Sequence, residues 1–591
     1  MKALMTGNEA LARGAFEAGV HFASAYPGTP STEILENLSQ YKEVYSEWAP
    51  NEKVGMEAAS GASIMGARAL TTMKHVGLNV AADPFFTMAY IGVLGGFVII
   101  NADDPGMHSS QNEQDNRFYA PHAKVPMLEP SDSEECRIFT KKAFEISEEF
   151  DTPVMIRTTT RVNHSKSLVN LEDRVEIPVR EYKKDKLKNV MTPGHAQRRH
   201  PIVEERLKSL EIYNCHSSLN KVEKHTEQLG IITSGISYAY AKEVFGESAS
   251  YLKLGMTFPL PKELIQEFAK EMREIIVIEE NEPYLEKEIK AMGIHCTGRD
   301  VLPTCGELNP EIIREAFLSE SPKMPPVMES KAPTRPPVLC AGCPHRGFFN
   351  ALKTDRDIIA SGDIGCYTLG AMDPINVTDT VICMGASISA GTGMQKILEL
   401  QGDKKKKIFS FIGDSTFFHS GITGLVNSIY NKIPLVTVIM DNRTTGMTGH
   451  QQNPGTGKTL MGETAGDINI PMLVRSLGIK DKNIKIINPY YQDKAKEVIK
   501  AAKACEEPFV IITQEPCALL KEVQVLRRNS YVEIDQEKCR KCKTCVRTGC
   551  PAIFMKDGSV FIDREMCNGC TLCYQVCPFQ AIEKKGDLVH A

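Results

Sequence analysis

A chain of 591 residues is far more than one hydrophobic core can organise, and at roughly 150 residues per domain it implies about four domains. A formal net charge of -5 gives no ground for nucleic acid as the main partner, and 42% hydrophobic with 24% charged residues is the composition of a soluble globular protein. No basic segment followed by an apolar stretch opens the chain, and the run AYIGVLGGFVII falls well short of the ~20 residues that span a bilayer; a cytoplasmic protein is expected, its cysteines free or metal-bound rather than in disulfides.

Residues 7 to about 20 read as a helix, and YPGTPST as a turn-rich loop in which Thr29 is, on its own, a turn residue. In EWAPNEKVGMEAASGASIMGARALTTMKH a helix is expected from about Asn51. Its Ala, Gly and Ser content suits tight packing, and Glu52 in the first turn is favoured by the helix dipole. YKKDKLKNVMTPGHAQRRHP is charged, contains Pro and Gly and lacks an apolar period, so a connector running over the surface is expected. From QLGIITSG to about residue 320, strands such as EIIVIEE alternate with helical stretches, a second α/β domain. PKMPPVMESKAPTRPPV is a proline-rich linker of semi-rigid reach.

Beyond it, LCAGCPHRG carries Cys340, Cys343 and His345, GDIGCYT carries Cys366, and TQEPCALL carries Cys517 just past a final strand. Between them, KKIFSFIGDSTFFHSGITGLVNSIYNKIPLVTVIMDN reads as strand, loop, helix, strand, loop. Ile422, Leu425, Val426, Ile429 and Tyr430 recur at helical spacing and predict one buried face, while PLVTVIM has the continuous apolarity of a buried parallel strand. In such a βαβ unit the functional residues sit at the carboxyl ends of strands, here Gly413-Asp414-Ser415 and Asp441-Asn442. Their spacing resembles the thiamine diphosphate signature, G-D-G followed within one βαβ unit by Asn, with G-D-S here. In that family the Asp and Asn side chains and a main-chain carbonyl two residues past the Asn hold the Mg²⁺ that carries the diphosphate. The matching residues are Asp414, Asn442 and Thr444, oxygen donors suited to a hard cation.

The chain ends in two cysteine runs. Cys539, Cys542, Cys545 and Cys550-Pro551 are spaced C-x2-C-x2-C-x4-C-P, and Cys567, Cys570, Cys573 and Cys577-Pro578 are spaced C-x2-C-x2-C-x3-C-P. The second is the bacterial ferredoxin spacing, in which three cysteines take corners of one cluster and the fourth serves the other. One 4Fe-4S cluster is therefore assigned to Cys539, Cys542, Cys545 and Cys577, the other to Cys567, Cys570, Cys573 and Cys550. A pair of zinc sites is the alternative, but it leaves two triplets each followed by Cys-Pro unexplained. Lys538, Arg540, Lys541, Lys543 and Arg547 crowd the first triplet; they form either a landing site for an acidic electron carrier or a merely solvated face.

YPGTPST, NEKVGMEAA, CAGCPH, GDSTFFHSG, DNRTTGMTGHQ and the double ferredoxin tail together resemble the large subunits of the indolepyruvate ferredoxin oxidoreductase family, within the 2-oxoacid:ferredoxin oxidoreductases. The resemblance covers nearly the whole chain, least distinctively between about 165 and 330. It implies two thiamine diphosphate-binding parallel-sheet domains, 1–180 for the pyrimidine and 338–528 for diphosphate and Mg²⁺, as two copies of one fold with the cofactor across their interface. Between them it implies a transketolase C-terminal-like α/β domain at 181–325 and the linker at 326–337, and after them a two-cluster ferredoxin domain at 529–591. The implied reaction is oxidative decarboxylation of arylpyruvates (indolepyruvate, phenylpyruvate, 4-hydroxyphenylpyruvate) with coenzyme A to aryl-acetyl-CoA and CO2, two electrons passing to ferredoxin. Glu52 matches the glutamate that hydrogen-bonds N1' of the aminopyrimidine, Thr29 the contact to the substrate carboxylate, and His345 a contact to the diphosphate. Pyruvate relatives hold an innermost cluster with cysteines comparable to Cys340, Cys343, Cys366 and Cys517; four buried thiols packing as small hydrophobes are the alternative. The pyruvate and 2-oxoglutarate relatives carry Y-G-M-T-G-G-Q where this chain has Thr445-Gly446-Met447-Thr448-Gly449-His450-Gln451, so their substrates do not transfer. A smaller subunit related to the family's gamma domain and a second copy of this chain are the expected partners, with ferredoxin as acceptor. Another 2-oxoacid:ferredoxin oxidoreductase, or a non-oxidative thiamine decarboxylase, is the competing reading.

Overall fold

The computed structural model describes residues 1–319 and 336–586, so the linker at 326–337 lies outside the described residues except for Pro336 and Pro337. The chain forms two compact units, Met1–Ser330 and Lys331–Ala591.

The first unit is built on a seven-stranded sheet. Six of its strands are parallel: in chain order Phe22–Ala25, Tyr45–Trp48, Ala69–Lys74, Phe97–Asp103, Met127–Leu128 and Val154–Thr159. Met256–Phe258 adds an antiparallel edge. Ala69–Lys74, Phe97–Asp103 and Val154–Thr159 are buried at every position, as strands covered on both faces must be. A smaller sheet of Leu229–Ser234, Ser250–Leu254 and Glu274–Ile278, all parallel, with Lys221–Glu223 antiparallel at its edge, forms the second α/β layer.

The second unit has a six-stranded, wholly parallel sheet: Ile358–Gly362, Thr380–Val381, Lys407–Gly413, Val436–Asp441, Ile484–Ile487 and Phe509–Gln514. Numbered by chain order, the parallel strands of each large sheet lie in the spatial order 2-1-3-4-6-5. The two sheets are one topology used twice. The tail carries two small antiparallel pairs, Tyr531–Ile534 with Ile582–Lys585 and Ile553–Lys556 with Ser559–Ile562. Among the described residues no helix is long and apolar enough to cross a membrane.

Two local expectations are corrected. Part of the charged connector is a helix, Pro193–Cys215, capped by Thr192 and with Pro193 at its start. Its buried stripe is Arg199, Val203, Arg206, Leu210 and Asn214. The arginines satisfy the last carbonyls of the helix Ala82–Ile91: Arg199 donates to Tyr90 O at 2.7 Å and Arg206 to Ala89 O. The helical period is real, but two of its five buried positions are arginine and one is asparagine, which an apolar count misses. The second correction concerns the helix Ile422–Tyr430, which buries Gly424, Leu425 and Ser428 and leaves Val426 and Tyr430 45% and 83% exposed. A π-helical turn at Phe417–Gly421 precedes it, and Gly424 packs closely on the helix Ala386–Leu400, where a Cβ would come within 3.0 Å of Ser389 Oγ. Leu425 is buried as expected and Ile422 and Ile429 pack against the same core, while Gly424 and Ser428 take the places expected of Val426 and Tyr430.

Candidate active site and cluster ligands

The fully buried strand Lys407–Gly413 ends at Asp414, whose Oδ2 accepts a hydrogen bond from Asn453 Nδ2 at 3.0 Å. After the neighbouring strand, the Asn442 side-chain amide lies 2.9 Å from the Thr444 carbonyl oxygen and 3.0 Å from Asp414 Oδ1, placed so that its NH2 can donate to both. Asp414, Asn442 and the Thr444 carbonyl thus converge on one point. An amide left to itself would present its NH2 there; a cation makes the oxygen the right atom. Separations of 2.9 and 3.0 Å are what adjacent ligands of one octahedral Mg²⁺ have at bond lengths of about 2.0–2.1 Å. Burial, and next the Asp441 carboxylate, push Asp414 up to about 7, so the site is short of positive charge. These residues fit Mg²⁺ carrying a diphosphate.

Around this point lie the other residues singled out in the sequence. Ser415 Oγ accepts from Thr445 Oγ1 at 2.9 Å. Tyr367 packs its ring on Gly413, where a Cβ would lie 2.6 Å away, and meets the buried His345 ring edge-on at 5.8 Å. Burial lowers His345 to about 4 and keeps the imidazole neutral. Two residues escaped the sequence reading. Asn453 orients Asp414, and Asp363 accepts backbone hydrogen bonds from Gly385 at 2.9 Å and Ser387 at 3.0 Å, tying together the loops at the sheet's switch point. The signal for Asp363 was there: G-D at the end of a strand, the same pair as Gly413-Asp414.

Cys340, Cys343, Cys366 and Cys517, from three separate segments, come together. Burial pushes Cys343 up to about 12, with Cys366 and Cys517 adding to it, and Cys366 up to about 11, with Cys517 and Cys340 adding. The group adjoins the cation site: Cys517 N donates to Asn442 O at 3.0 Å, and a Cβ on Gly446 would sit 3.6 Å from both Cys366 Sγ and Asn442 Nδ2. Gly342, between Cys340 and Cys343, presses on Asn568 beside Cys567, where a Cβ would meet the amide at 2.0 Å. Tyr490 Oη donates to Gly342 O at 2.5 Å and lies close enough to Cys570 to feel its charge. Arg346, buried, donates to Cys340 O and to Thr548 O, each at 3.0 Å, and so staples this loop to the tail.

In the tail, Cys570 and Cys573 are raised first by burial and then by one another or by Cys550 and Cys567, which places that quartet together. Cys573 also feels Cys545 of the other quartet. Cys539, Cys542, Cys545 and Cys577 line one cavity, shared with Arg540, Lys541 and Lys543, and Cys542 is exposed. The quartets thus run in sequence from the cation site to a basic patch of surface. Thiolates in fours, held in loops with buried walls, fit 4Fe-4S clusters. Among the described residues no group of three or more His, Cys, Asp or Glu could hold a single metal ion; the cation site draws on an amide and a carbonyl beside its one carboxylate.

In the first unit, Glu52 opens the helix Glu52–Ile64 behind the N-cap Asn51, whose side chain accepts from Val54 N. It is 5% exposed and lies against Gly77, where a Cβ would come within 2.7 Å of its side chain. Thr29 lies in the loop that follows the strand Phe22–Ala25, and its carbonyl accepts from Ser109 Oγ at 3.4 Å.

Three family models match this chain: Pyruvate flavodoxin/ferredoxin oxidoreductase, thiamine diP-bdg, over residues 13–230; Thiamine pyrophosphate enzyme, C-terminal TPP binding domain, over 363–513; and 4Fe-4S binding domain over 560–583. The indolepyruvate oxidoreductase subunit IorA of Archaeoglobus fulgidus is 40% identical, covering 98% of this chain and 97% of its own, and that of Methanothermobacter thermautotrophicus is 40% identical over 99% and 98%. The chain belongs to the IorA family of 2-oxoacid:ferredoxin oxidoreductases. It is thus an oxidoreductase subunit with thiamine-binding and 4Fe-4S domains, and the name of its relatives implies a companion subunit. The 2-oxoglutarate synthase subunit KorA of Archaeoglobus fulgidus is 28% identical and matches 51% of this chain, 96% of its own. A solved 2-oxoglutarate:ferredoxin oxidoreductase from Magnetococcus marinus aligns with 53% of this chain and 64% of its own at 18% identity and a TM-score of 0.45, too loosely to carry residue roles.

Proposed function

We propose that this subunit oxidatively decarboxylates arylpyruvates, indolepyruvate, phenylpyruvate and 4-hydroxyphenylpyruvate among them, with coenzyme A as acyl acceptor and ferredoxin as electron acceptor. The bond between carboxylate and keto carbon breaks and CO2 leaves; the keto carbon joins the sulfur of coenzyme A, the thiol proton is released, and two electrons depart singly. Thiamine diphosphate, when bound, would supply the electron sink for loss of CO2, and the cysteine quartets would hold clusters able to accept single electrons.

Asp414, Asn442 and the Thr444 carbonyl would hold Mg²⁺, with neutral His345 free to donate to a diphosphate oxygen. Glu52 would hold a hydrogen bond to the aminopyrimidine N1', and Thr29 would contact the substrate carboxylate. Cys340, Cys343, Cys366 and Cys517 would hold a third cluster. The observation that carries this reading is the run of three thiol quartets from the cation site to the basic surface. A non-oxidative decarboxylase has no use for such a path. The arylpyruvate assignment is supported by full-length relatives at 40% identity that are named for indolepyruvate. A dimer of heterodimers with a smaller subunit would complete the enzyme, and the five segments given above would be its domains within the two compact units.

The test is anaerobic mixing of the complex, loaded with thiamine diphosphate and Mg²⁺, with arylpyruvates, pyruvate and 2-oxoglutarate plus coenzyme A. Rapid bleaching of the cluster absorbance by arylpyruvates alone, with formation of the CoA thioester, is the expected result. Clusters that stay oxidised with every arylpyruvate would sink the reading.

A further inference from the structure

In an open α/β sheet, ligands bind in the crevice outside the carboxyl ends of the strands where the strand order reverses. In the first unit that reversal lies between Phe22–Ala25 and Ala69–Lys74. The chain leaving the first of these strands runs through Gly28 and Thr29, and the chain leaving the second begins with Lys74 and His75. The two meet: a Cβ on Gly28 would lie 3.1 Å from Lys74 Cβ, so glycine lets the loop rest on the lysine stem.

Lys74 is 8% exposed. Its Nζ donates to the Ser109 carbonyl at 2.6 Å and to Ser109 Oγ at 3.4 Å, both neutral oxygens. The nearby Asp104 carboxylate is engaged by Ser109 N at 2.8 Å, Ser110 Oγ at 2.5 Å and Thr160 Oγ1 at 2.7 Å. An ammonium has three N–H groups, so capacity remains, and a buried cation without an anion of its own is costly. Burial lowers Lys74 to about 8, Asp104 offsetting only part of it. The other buried cations near this edge are committed: Arg117 to Asp115 and Glu279, each at 2.6 Å, and Arg157 to Asp103 at 2.9 Å. His75 follows, wholly buried, neither ring nitrogen meeting a partner at hydrogen-bonding geometry although Asn112 stands nearby. It opens the short helix His75–Val80, whose Gly77 presses on Glu52. Lys74, Thr29 and Glu52 therefore lie at the carboxyl ends of three adjacent strands, beside the reversal.

We propose that Lys74 binds the carboxylate of the 2-oxo acid substrate, its ammonium pairing with the carboxylate beside Thr29. The inference rests on the function proposed above. An ammonium holds a carboxylate as a point charge, without the two-pronged grip of a guanidinium that would favour the intact acid over its loss of CO2.

The test uses the reconstituted complex with Lys74→Met and Lys74→Arg. Thiamine and iron contents are measured first, then KM and kcat for phenylpyruvate, and calorimetric binding of 3-phenylpropionate against its uncharged amide. The wild type is expected to prefer the anion at least about tenfold; Lys74→Met should abolish that preference and raise KM about 30-fold or more, with Lys74→Arg recovering part of it. A KM within twofold of wild type in Lys74→Met, or a wild type indifferent to the charge, overturns the proposal. Should Lys74→Met lose thiamine or iron, Lys74→Arg and the wild-type anion preference still decide. A wild type that no arylpyruvate reduces is a failure of the functional reading instead.

Discussion

Cys517 separates the two readings of the third thiol group. If its sulfur only packs, Cys517→Ala removes one partly buried atom at a cost of about 1 kcal/mol, which in a protein this size moves the melting temperature by roughly a degree or two. Iron would be unaffected, at about eight atoms per chain for two clusters. If Cys517 is a ligand, the wild type carries about twelve, and the variant about eight. Function should change with it, because this quartet stands between the cation site and the tail: Cys517 N is bonded to Asn442 O at 3.0 Å, and Gly342 of the same quartet's loop presses on Asn568 of the tail. Arylpyruvate should then fail to bleach the tail clusters, while dithionite still reduces them. Anaerobic purification, iron and sulfide assay, and stopped-flow absorbance make the comparison. Eight irons in the wild type, unchanged in Cys517→Ala, would refute the ligand assignment.

Glu52→Gln should keep thiamine and iron yet lower arylpyruvate-driven cluster reduction by about 10²-fold or more, as loss of a proton-handling group does; rapid-mixing kinetics measure it, and a normal rate would remove Glu52 from the mechanism. Asp414→Asn takes the only carboxylate from the three-oxygen site, and equilibrium dialysis should find Mg²⁺-dependent thiamine diphosphate binding weakened on the order of 100-fold, with iron unchanged. Reversing Lys541 and Lys543, which line the cavity of the outer quartet, to Glu should slow reduction of an acidic ferredoxin at low salt, with the deficit closing toward ~0.5 M salt as screening takes over; equal rates at low salt would leave the basic patch without a docking role.

Much of the site was legible in sequence because its chemistry depends on residue type at short spacing. Two C-x2-C-x2-C runs, a G-D at a strand end and an Asn at the next are local patterns, and backbone geometry alone brings such neighbours near one another. The distant members were not legible in spacing: Cys366 and Cys517 were joined to Cys340 through the family resemblance alone, and Lys74 was not singled out. Cys366 and Cys517 join Cys340 only because the parallel strands that precede or follow them end on the same edge of one sheet, and Lys74 meets Gly28 only because the strand order reverses between their strands.

By itself the sequence determined many of the elements: strand and helix periods, the helix start at Asn51, and the thiols and oxygen donors available for a cluster or a cation. What only the tertiary structure decided was which of these share a point in space. Both large sheets adopt the order 2-1-3-4-6-5 without a visible repeat, because a parallel sheet constrains burial and handedness far more tightly than residue identity. The helix at Pro193–Cys215 hid for the same reason: its buried arginines gain their place from the carbonyls of another helix, a partner no local window contains.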